Sequence, residues 1–335
     1  MKKLMAPSLL IAGLLCFAAP ASAEDCGSVT IAQMSWRSAD VLANIDKIIL
    51  SEGYGCDARL VPGDTMSTFT SMEKEGQPDV APELWINAVR EALDVAADEG
   101  RLHFGAPSLS DGGVEGWWIP NYIAEAYPEI RTVEDALARP ELFPAPDDPS
   151  KGGVFNCPPD WNCRISTANL FKAFDAESKG FKLVDTASPA ELDESIAKAF
   201  ESNQGWLGFY WAPTSILGKY EMVRLGFGVP HDKSEWDTCT AIPDCPHPQP
   251  NAWPKSQVYT AITDEFHRRG GAANAYLDKR SWNNRTVNQL LAWMTDNKAT
   301  GEESAHYFLE NHEEIWGEWV TPEAARRIRN YLANS

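Results

Sequence analysis

Residues 29–85 read VTIAQMSWRSADVLANIDKIILSEGYGCDARLVPGDTMSTFTSMEKEGQPDVAPELW. Runs rich in β-forming residues alternate here with runs whose apolar residues repeat at helical spacing, and Gly53 is placed to end the first of these helices. The order strand–helix–strand–helix–strand predicts a parallel sheet with right-handed crossovers. We predict strands over residues 29–34, 58–61 and 79–85, and helices over 38–51 and from a cap at Thr65.

The middle of the chain repeats this alternation, and the last eighty residues are mostly helical. Ser188 followed by Pro189 and Glu191 is typical of a helix N-terminus. Two α/β units followed by terminal helices predict an α/β protein of two lobes, with a ligand in the cleft between them. Here we predict strands over 117–119 and 205–211, helices over 166–174 and after Thr132, Ser188 and Thr321, and loops over 143–159 and 229–254.

The N-terminus has the pattern of a secretory signal. Lys2 and Lys3 precede an apolar run over residues 9–18, and a small-residue cleavage site, Ala-Ser-Ala, ends at Ala23. This pattern predicts export to the periplasm and cleavage near Ala23. A buried core helix is one alternative, and a lipid anchor at Cys16 is another, which the bulky Leu15 disfavours.

The charge of the chain excludes some partners. The formal net charge is −19, and loss of the two N-terminal lysines makes the mature chain more acidic still. Such a surface repels nucleic acid and anionic lipid, so we predict neither as a partner and no membrane insertion. Its simplest role is to keep the protein soluble.

The cysteines of the mature chain predict disulfide bonds. An even number of cysteines in an exported protein is typical of a disulfide framework, and six allow 15 pairings. Spacing favours three local pairs, of which the third would join the first two strands. The favoured pairs are Cys157–Cys163, Cys239–Cys245 and Cys26–Cys56.

The sequence predicts neither a metal site nor a cofactor. CxxC spacing is absent and the six histidines are scattered, which disfavours zinc. The segment over residues 147–153, which begins with two aspartates, lacks the spacing of an EF-hand calcium loop. A glycine-rich phosphate loop is also absent.

The chain has 13 tryptophans, and the positions of four of them indicate a binding site. In a parallel α/β sheet the carboxyl ends of the strands face the ligand crevice. Indoles gathered there would form a cage that attracts a methylated ammonium through the ring quadrupoles. The alternative is that these side chains are core or surface anchors. Trp36 and Trp85 follow the first and third predicted strands, Trp161 lies between Cys157 and Cys163, and Trp211 ends the strand over 205–211.

Four segments resemble those of the periplasmic glycine betaine-binding proteins of ABC importers. The most specific is Cys157-Pro-Pro-Asp-Trp-Asn-Cys163, which is similar to the disulfide loop of that family. Phe209-Tyr210-Trp211-Ala212-Pro213 is similar to its aromatic strand end. Leu84-Trp85-Ile86 and Asn251-Ala252-Trp253-Pro254 fall where that family has its first cage tryptophan and its return to the first lobe. The resemblance covers nearly the whole mature chain.

This resemblance implies a fold and a site. The fold would be the two-lobed type II periplasmic binding protein. Trp85, Trp161 and Trp211 would enclose the trimethylammonium group of the ligand, and the backbone N–H groups of Asn162 and Cys163 would bind its carboxylate.

The chain also departs from the family pattern. Val89 stands where some betaine binders have a histidine, and Asn162 replaces a glycine. Glu115 lies beside Trp117 and Trp118, one of which would add a fourth wall to the cage. A carboxylate at the cage disfavours an anionic ligand end and favours a hydroxyl or a protonated oxide, unless Glu115 is a solvated loop acid. Glycine betaine, choline and trimethylamine N-oxide are all candidate ligands.

The predicted lobes are discontinuous in sequence. The first lobe is expected to hold residues 24–117 and 255–335, and the second to hold 118–230. Residues 231–254 would form a disulfide-bearing loop and the return crossing, and residues 1–23 the signal peptide.

The predicted function is that of a monomeric solute-binding protein that delivers a trimethylammonium osmolyte to a membrane permease and has no catalytic residues. The alternative is a secreted carbohydrate-active hydrolase or a sugar-binding module, because tryptophan-lined clefts also bind sugars and paired carboxylates hydrolyse them. The absence of Gly-x-Ser-x-Gly and HExxH motifs weighs against an enzyme.

Overall fold

The computed structural model describes residues 26–159, 161 and 163–334. The predicted signal peptide therefore lies outside the described residues, as does its cleavage site. The strands are β1 (Ser28–Met34), β2 (Asp57–Gly63), β3 (Val80–Trp85), β4 (Leu102–Pro107), β5 (Val114–Pro120), β6 (Pro144–Ala145), β7 (Asp148–Phe155), β8 (Phe181–Val184), β9 (Gly208–Ala212), β10 (Met222–Arg224) and β11 (Val258–Thr263).

Helices cover the sheets and form most of the C-terminal part. Among the described residues, none of them is long and apolar enough to cross a membrane. They are α1 (Arg37–Ile48), α2 (Thr65–Glu75), α3 (Arg90–Asp98), α4 (Asn121–Ala126), α5 (Val133–Leu137), α6 (Cys163–Ala173), α7 (Pro189–Ser202), α8 (Ser215–Lys219), α9 (Lys233–Glu235), α10 (Asp264–Arg269), α11 (Gly271–Leu277), α12 (Asn284–Asn297), α13 (Gly301–Asn311), α14 (Glu313–Trp316) and α15 (Pro322–Leu332).

The first sheet has the strand order β2-β1-β3-β11-β4. Strand β1 runs parallel to both β2 and β3, which confirms the parallel arrangement predicted for residues 29–85. Strand β11 comes from much later in the chain and pairs antiparallel with β3 and β4. The first sheet is therefore mixed, and it is built from two separate parts of the sequence.

The second sheet has the order β10-β5-β9-β7-β6, with β8 beside β7. Strand β5 pairs antiparallel with β9 and β10, whereas β7 runs parallel to β8 and β9. Each sheet packs its own apolar side chains into separate cores. The predicted two-lobed α/β fold is confirmed, while the lobe boundaries at individual residues stay a prediction.

Strand β7 corrects one prediction. Residues 143–159 were expected to form a loop because they are rich in proline, glycine and aspartate, yet they contain β6 and β7. Gly152 and Gly153 explain the difference. A Cβ at Gly152 would lie 2.4 Å from the ring of Phe181, so the absent side chain lets β8 pack closely against β7.

Most predicted helix starts are confirmed. The hydroxyls of Thr132, Ser188 and Thr321 each accept a hydrogen bond from a backbone N–H in the first turn of the helix that follows. The prediction for Thr65 is wrong, because Asp64 is the N-cap residue and Thr65 is the first residue of α2.

The three predicted disulfide pairs are present. Their Cα–Cα distances are 5.1 Å for Cys26–Cys56, 5.9 Å for Cys157–Cys163 and 5.3 Å for Cys239–Cys245. The first of these bonds joins the chain ahead of β1 to the chain ahead of β2. The second closes the loop that contains Trp161, immediately before α6.

Helices α8 and α12 form a contact between the two parts of the molecule. The backbone N–H of Thr214 donates to Asn288 Oδ1 at 2.7 Å, and Lys219 forms an ion pair with Asp296. A Cβ at Gly218 would lie 2.1 Å from the carbonyl oxygen of Asn288, so α8 lies directly on α12. This contact joins the segment between β9 and β10 of the second sheet to the C-terminal helices.

Candidate functional site

Trp36 and Trp85 lie together at the carboxyl ends of β1 and β3. Their indole N–H groups both donate to Glu83 Oε1, at 2.7 Å and 3.1 Å respectively, and the hydroxyl of Ser38 donates to the same oxygen at 2.8 Å. Glu83 is fully buried, whereas both indoles are half-buried. Because Glu83 and Trp85 are two residues apart in β3, they lie on the same face of the strand.

Trp161 and Trp211 form a second pair, on the second sheet. Their ring centroids are 4.9 Å apart with an interplanar angle of 81°, which is an edge-to-face contact. Trp211 lies near the end of β9, and Trp161 lies in the loop closed by Cys157–Cys163. Both rings are half-buried, so each keeps some exposed surface.

The segment from Gly113 to Glu115 connects the two pairs of indoles. A Cβ at Gly113 would lie 2.0 Å from Trp85 Cζ3, so the ring packs directly on the backbone there. Glu115 lies opposite Trp211 in the register of β5 and β9. Residues two apart in an extended segment point to the same side, and so do cross-strand partners. Trp85, Glu115 and Trp211 therefore lie along one side of this segment, between the two sheets.

Glu115 is a partly buried strand residue with polar partners, unlike a solvated loop acid. The hydroxyl of Ser256 donates to Glu115 Oε2, and the side chain of Trp253 also forms a hydrogen bond to the carboxyl group. Burial raises the pKa of Glu115, and these hydrogen bonds and the charge of Arg224 oppose the rise. Near neutral pH this carboxyl group is therefore easier to protonate than an exposed glutamate.

Trp117 and Trp118 lie in the core of the second sheet, against which Trp161 and Trp211 also pack. Trp117 is fully buried and Trp118 is 7% exposed, both in the core of the second sheet. The indole N–H of Trp118 donates to the backbone oxygen of Tyr210 at 2.8 Å. That one of them adds a fourth wall to the cage stays a prediction.

The backbone N–H groups predicted to bind a ligand carboxylate belong to the two residues that follow Trp161 in sequence. Asn162 is outside the described residues, and Cys163 is the first residue of α6. The first N–H groups of an α-helix have no partner within the helix and carry partial positive charge. Whether Cys163 binds a ligand stays a prediction.

Three residues of this region were not identified from the sequence. Glu83 binds both indoles of the first pair, Gly113 supports the ring of Trp85, and Ser256 binds Glu115. Glu83 and Trp85 are two residues apart in a predicted strand, so their side chains are expected on the same face. This spacing is the one sequence signal that would have placed an acid beside a cage indole. Ser256 gives no such signal, because it is far from Glu115 in sequence.

Residues 27–311 match the family described as the substrate binding domain of ABC-type glycine betaine transport systems. A curated protein named trimethylamine N-oxide-binding protein, from Pelagibacter ubique (strain HTCC1062), is 22% identical over 94% of this chain and 98% of its own length.

Solved structures of similar fold include two with bound ligands. One is an ABC-transporter choline-binding protein in complex with choline, with a TM-score of 0.58 and 16% identity over 92% of this chain and 98% of that one. The other is lactococcal OpuAC complexed with glycine betaine, with a TM-score of 0.59 and 17% identity over 88% of this chain and 100% of that one. At these identities the structures establish the fold alone.

Proposed function

This chain belongs to the family of substrate-binding domains of ABC-type glycine betaine transport systems, and from that membership we propose that it captures a small trimethylammonium compound between its lobes. The ligand is held in a cage whose walls are Trp36, Trp85, Trp161 and Trp211. The alternative of a carbohydrate-active hydrolase or sugar-binding module has no support from the relatives.

The observation that carries this proposal is the arrangement of two half-buried indole pairs along the segment from Gly113 to Glu115. A quaternary ammonium has no N–H to donate, so a protein recognises it through ring faces and fixed negative charge. Four partly exposed indoles from two lobes supply such faces. Closure of the lobes would then exclude water from the cation.

Glu115 selects the other end of the ligand. An ionised carboxyl group here repels a ligand carboxylate, whereas a protonated one donates a hydrogen bond to an oxide or hydroxyl oxygen. The raised pKa of Glu115 makes the protonated form more accessible. We therefore propose trimethylamine N-oxide or a choline-like compound as the ligand, in preference to glycine betaine. The name of the Pelagibacter relative supports the first of these.

The family suggests where the protein works and with which partner. We propose that the protein works in the periplasm as a monomer, releases its ligand chemically unchanged, and delivers it to the membrane permease of an ABC importer. Binding without catalysis is consistent with the proposed cage, in which indoles and one carboxyl group would surround the trimethylammonium group.

Isothermal calorimetry with a ligand panel tests this function. The panel contains trimethylamine N-oxide, choline, glycine betaine, carnitine, dimethylsulfoniopropionate and, as a control without oxygen, trimethylamine. We expect saturable binding that is strongest for trimethylamine N-oxide or choline, with full recovery of unchanged ligand after long incubation. Failure of the whole panel to bind, or consumption of a ligand, would overturn the proposal.

A further inference from the structure

Glu83 is a charged group beneath the first pair of indoles that the proposed cage does not use directly. Its side chain is fully buried in β3, and Oε1 accepts three hydrogen bonds, from Trp36, Ser38 and Trp85. Within the described part of the chain, Oε2 has no hydrogen-bond partner. A buried carboxylate is costly unless its charge has a function or a counter-charge.

The buried cation in this region, Arg280, forms its ion pair with another acid and not with Glu83. Arg280 is 1% exposed and forms an ion pair with the fully buried Asp46, with 2.8 Å between Nε and Oδ1. Its guanidinium also donates to Thr260 Oγ1 at 2.7 Å. Among the described residues, Glu83 itself has no ion pair, so the buried group of Asp46, Glu83 and Arg280 carries one net negative charge when both acids are ionised.

The hydrogen bonds to Glu83 favour its ionised form, whereas burial opposes it. Burial raises the pKa of this carboxyl group above its usual range, and the three donors and the charge of Arg280 offset only part of that rise. Three donors on one oxygen match an ionised carboxylate better than a neutral acid, because charge-assisted hydrogen bonds are roughly twice as strong. A carboxylate that accepts an indole N–H also polarises that indole, which makes the ring face more negative.

Resting on the proposed function, we propose that Glu83 is a positioning and specificity-determining residue whose buried negative charge, acting through the indoles of Trp36 and Trp85, makes the cage selective for cations over neutral ligands of the same shape. Glu83 does not touch the ligand. It fixes both rings through their N–H groups and supplies the counter-charge that the ligand cation meets in the closed site.

Neutral isosteres separate the charge of Glu83 from its structural role. Choline and 3,3-dimethylbutan-1-ol have the same shape but differ by one unit of net charge. Trimethylamine N-oxide and tert-butanol are both neutral overall, but the N-oxide has a formal positive charge on nitrogen and a negative one on oxygen, and it is called the charged member of its pair. Affinities are measured by quenching or shift of tryptophan emission, with the neutral member in competition where needed. The quantity compared is the ratio of affinities for the charged and neutral members of the pair that the parent chain binds.

Glu83→Gln keeps the shape and the acceptor oxygen but removes the charge. We expect it to lower the affinity for choline about thirtyfold, because removing a unit charge about 8 Å from the ligand cation has an effect of that size at an effective dielectric constant near 20. The loss should be smaller for trimethylamine N-oxide, because its negative oxygen offsets part of the attraction. The affinity for the neutral member should change less than about twofold. Equal losses for both members, or no loss for the charged one, would overturn the proposal.

Two further variants control for folding. Asp79→Asn removes another buried carboxylate directly before the same strand, one that pairs with Arg269, and should leave the ratio unchanged. Ser38→Ala keeps the charge of Glu83 and removes one donor, so the ratio should hold or rise. If Glu83→Gln does not fold, a fall of the ratio in Ser38→Ala overturns the proposal. If the parent binds neither choline nor trimethylamine N-oxide, the proposed function fails first and this inference fails with it.

Discussion

At the scale of single residues, the cage is the first thing to test. Trp85→Ala, Trp161→Ala and Trp211→Ala should each weaken binding by about 1–3 kcal/mol, because each removes a desolvated ring face from the cation. Phenylalanine at the same positions should cost less, since a ring face remains. Calorimetry with the best ligand measures both effects. Binding as tight as the parent's in all three alanine variants would contradict the cage.

A substitution at Glu115 tests whether this residue discriminates between ligands that carry an oxide or hydroxyl group and ligands that carry a carboxylate. Glu115→Gln removes the acidic proton that the carboxyl group shares with an oxide oxygen and the negative charge that repels a carboxylate; the remaining amide is a weaker, neutral donor and acceptor. We expect about tenfold weaker binding of trimethylamine N-oxide or choline, and unchanged or tighter binding of glycine betaine. The same direction of change for both classes would show that Glu115 does not discriminate between them.

Gly113 tests the link between the two indole pairs. Gly113→Ala would place a methyl group 2.0 Å from Trp85 Cζ3, so the ring must move away from its place in the cage. The variant should bind at least tenfold more weakly while its far-ultraviolet circular dichroism stays that of the parent. Gly226→Ala is the matched control, because its Cβ would meet nothing closer than 3.6 Å and its affinity should not change.

The site was only partly predictable from the sequence, for physical reasons. Trp36 and Trp85 lie at the ends of strands of the first sheet and Trp211 lies near the end of a strand of the second, so local pattern was enough to place each of them at a strand end. The sequence pattern also offers Trp117 or Trp118 as a further wall, but it does not show that Trp117 is fully buried in the core of the second sheet. Contacts such as that between Ser256 and Glu115 join distant parts of the chain, and local pattern does not reveal them.

At the scale of elements, the two short disulfide loops form a natural pair of variants. Cys157–Cys163 and Cys239–Cys245 both span a sequence separation of 6. Replacing either pair with serine should therefore lower the free energy of unfolding by about 2 kcal/mol. Only the first loop carries Trp161, so only that variant should also weaken ligand binding. Denaturant titration and calorimetry on the same samples separate the two effects.

Helices were predicted better than strands. The cap residues Thr132, Ser188 and Thr321 are local signals that act within four residues, and each marks a true helix start. Strand β7 is central in the second sheet but has two glycines and a proline, so its composition is typical of a loop. Its partners stabilise it, and two of them, β8 and β9, lie much further along the chain.

At the scale of the whole molecule, the contact between α8 and α12 joins the lobes outside the site. Asn288→Ala should lower the free energy of unfolding by about 1–2 kcal/mol, because it leaves the buried N–H of Thr214 without its acceptor. Asp296→Asn, at an exposed ion pair with Lys219, should cost less than about 1 kcal/mol. Equal costs in chemical denaturation would contradict this assignment.

The fold class and the two lobes were predictable because each lobe repeats the local alternation of strand and helix. The way the lobes meet was not predictable in this way. Gly218 lies on the carbonyl of Asn288 because the shapes of two distant helices match there, and no local pattern encodes that match.

The position of β11 has a consequence for the order in which the protein is assembled. Strand β11 separates β3 from β4, and β4 is a terminal strand of the sheet order. During synthesis from the N-terminus, β1 to β4 and every strand of the second sheet are therefore made before β11. Until then the first sheet lacks the strand between β3 and β4. The second sheet, whose strands β5 to β10 are consecutive in sequence, has all its strands by residue 224. The first sheet is complete only when β11 has been made, at residue 263. The lobe that contains the first strand of the chain is therefore the last to obtain all its strands.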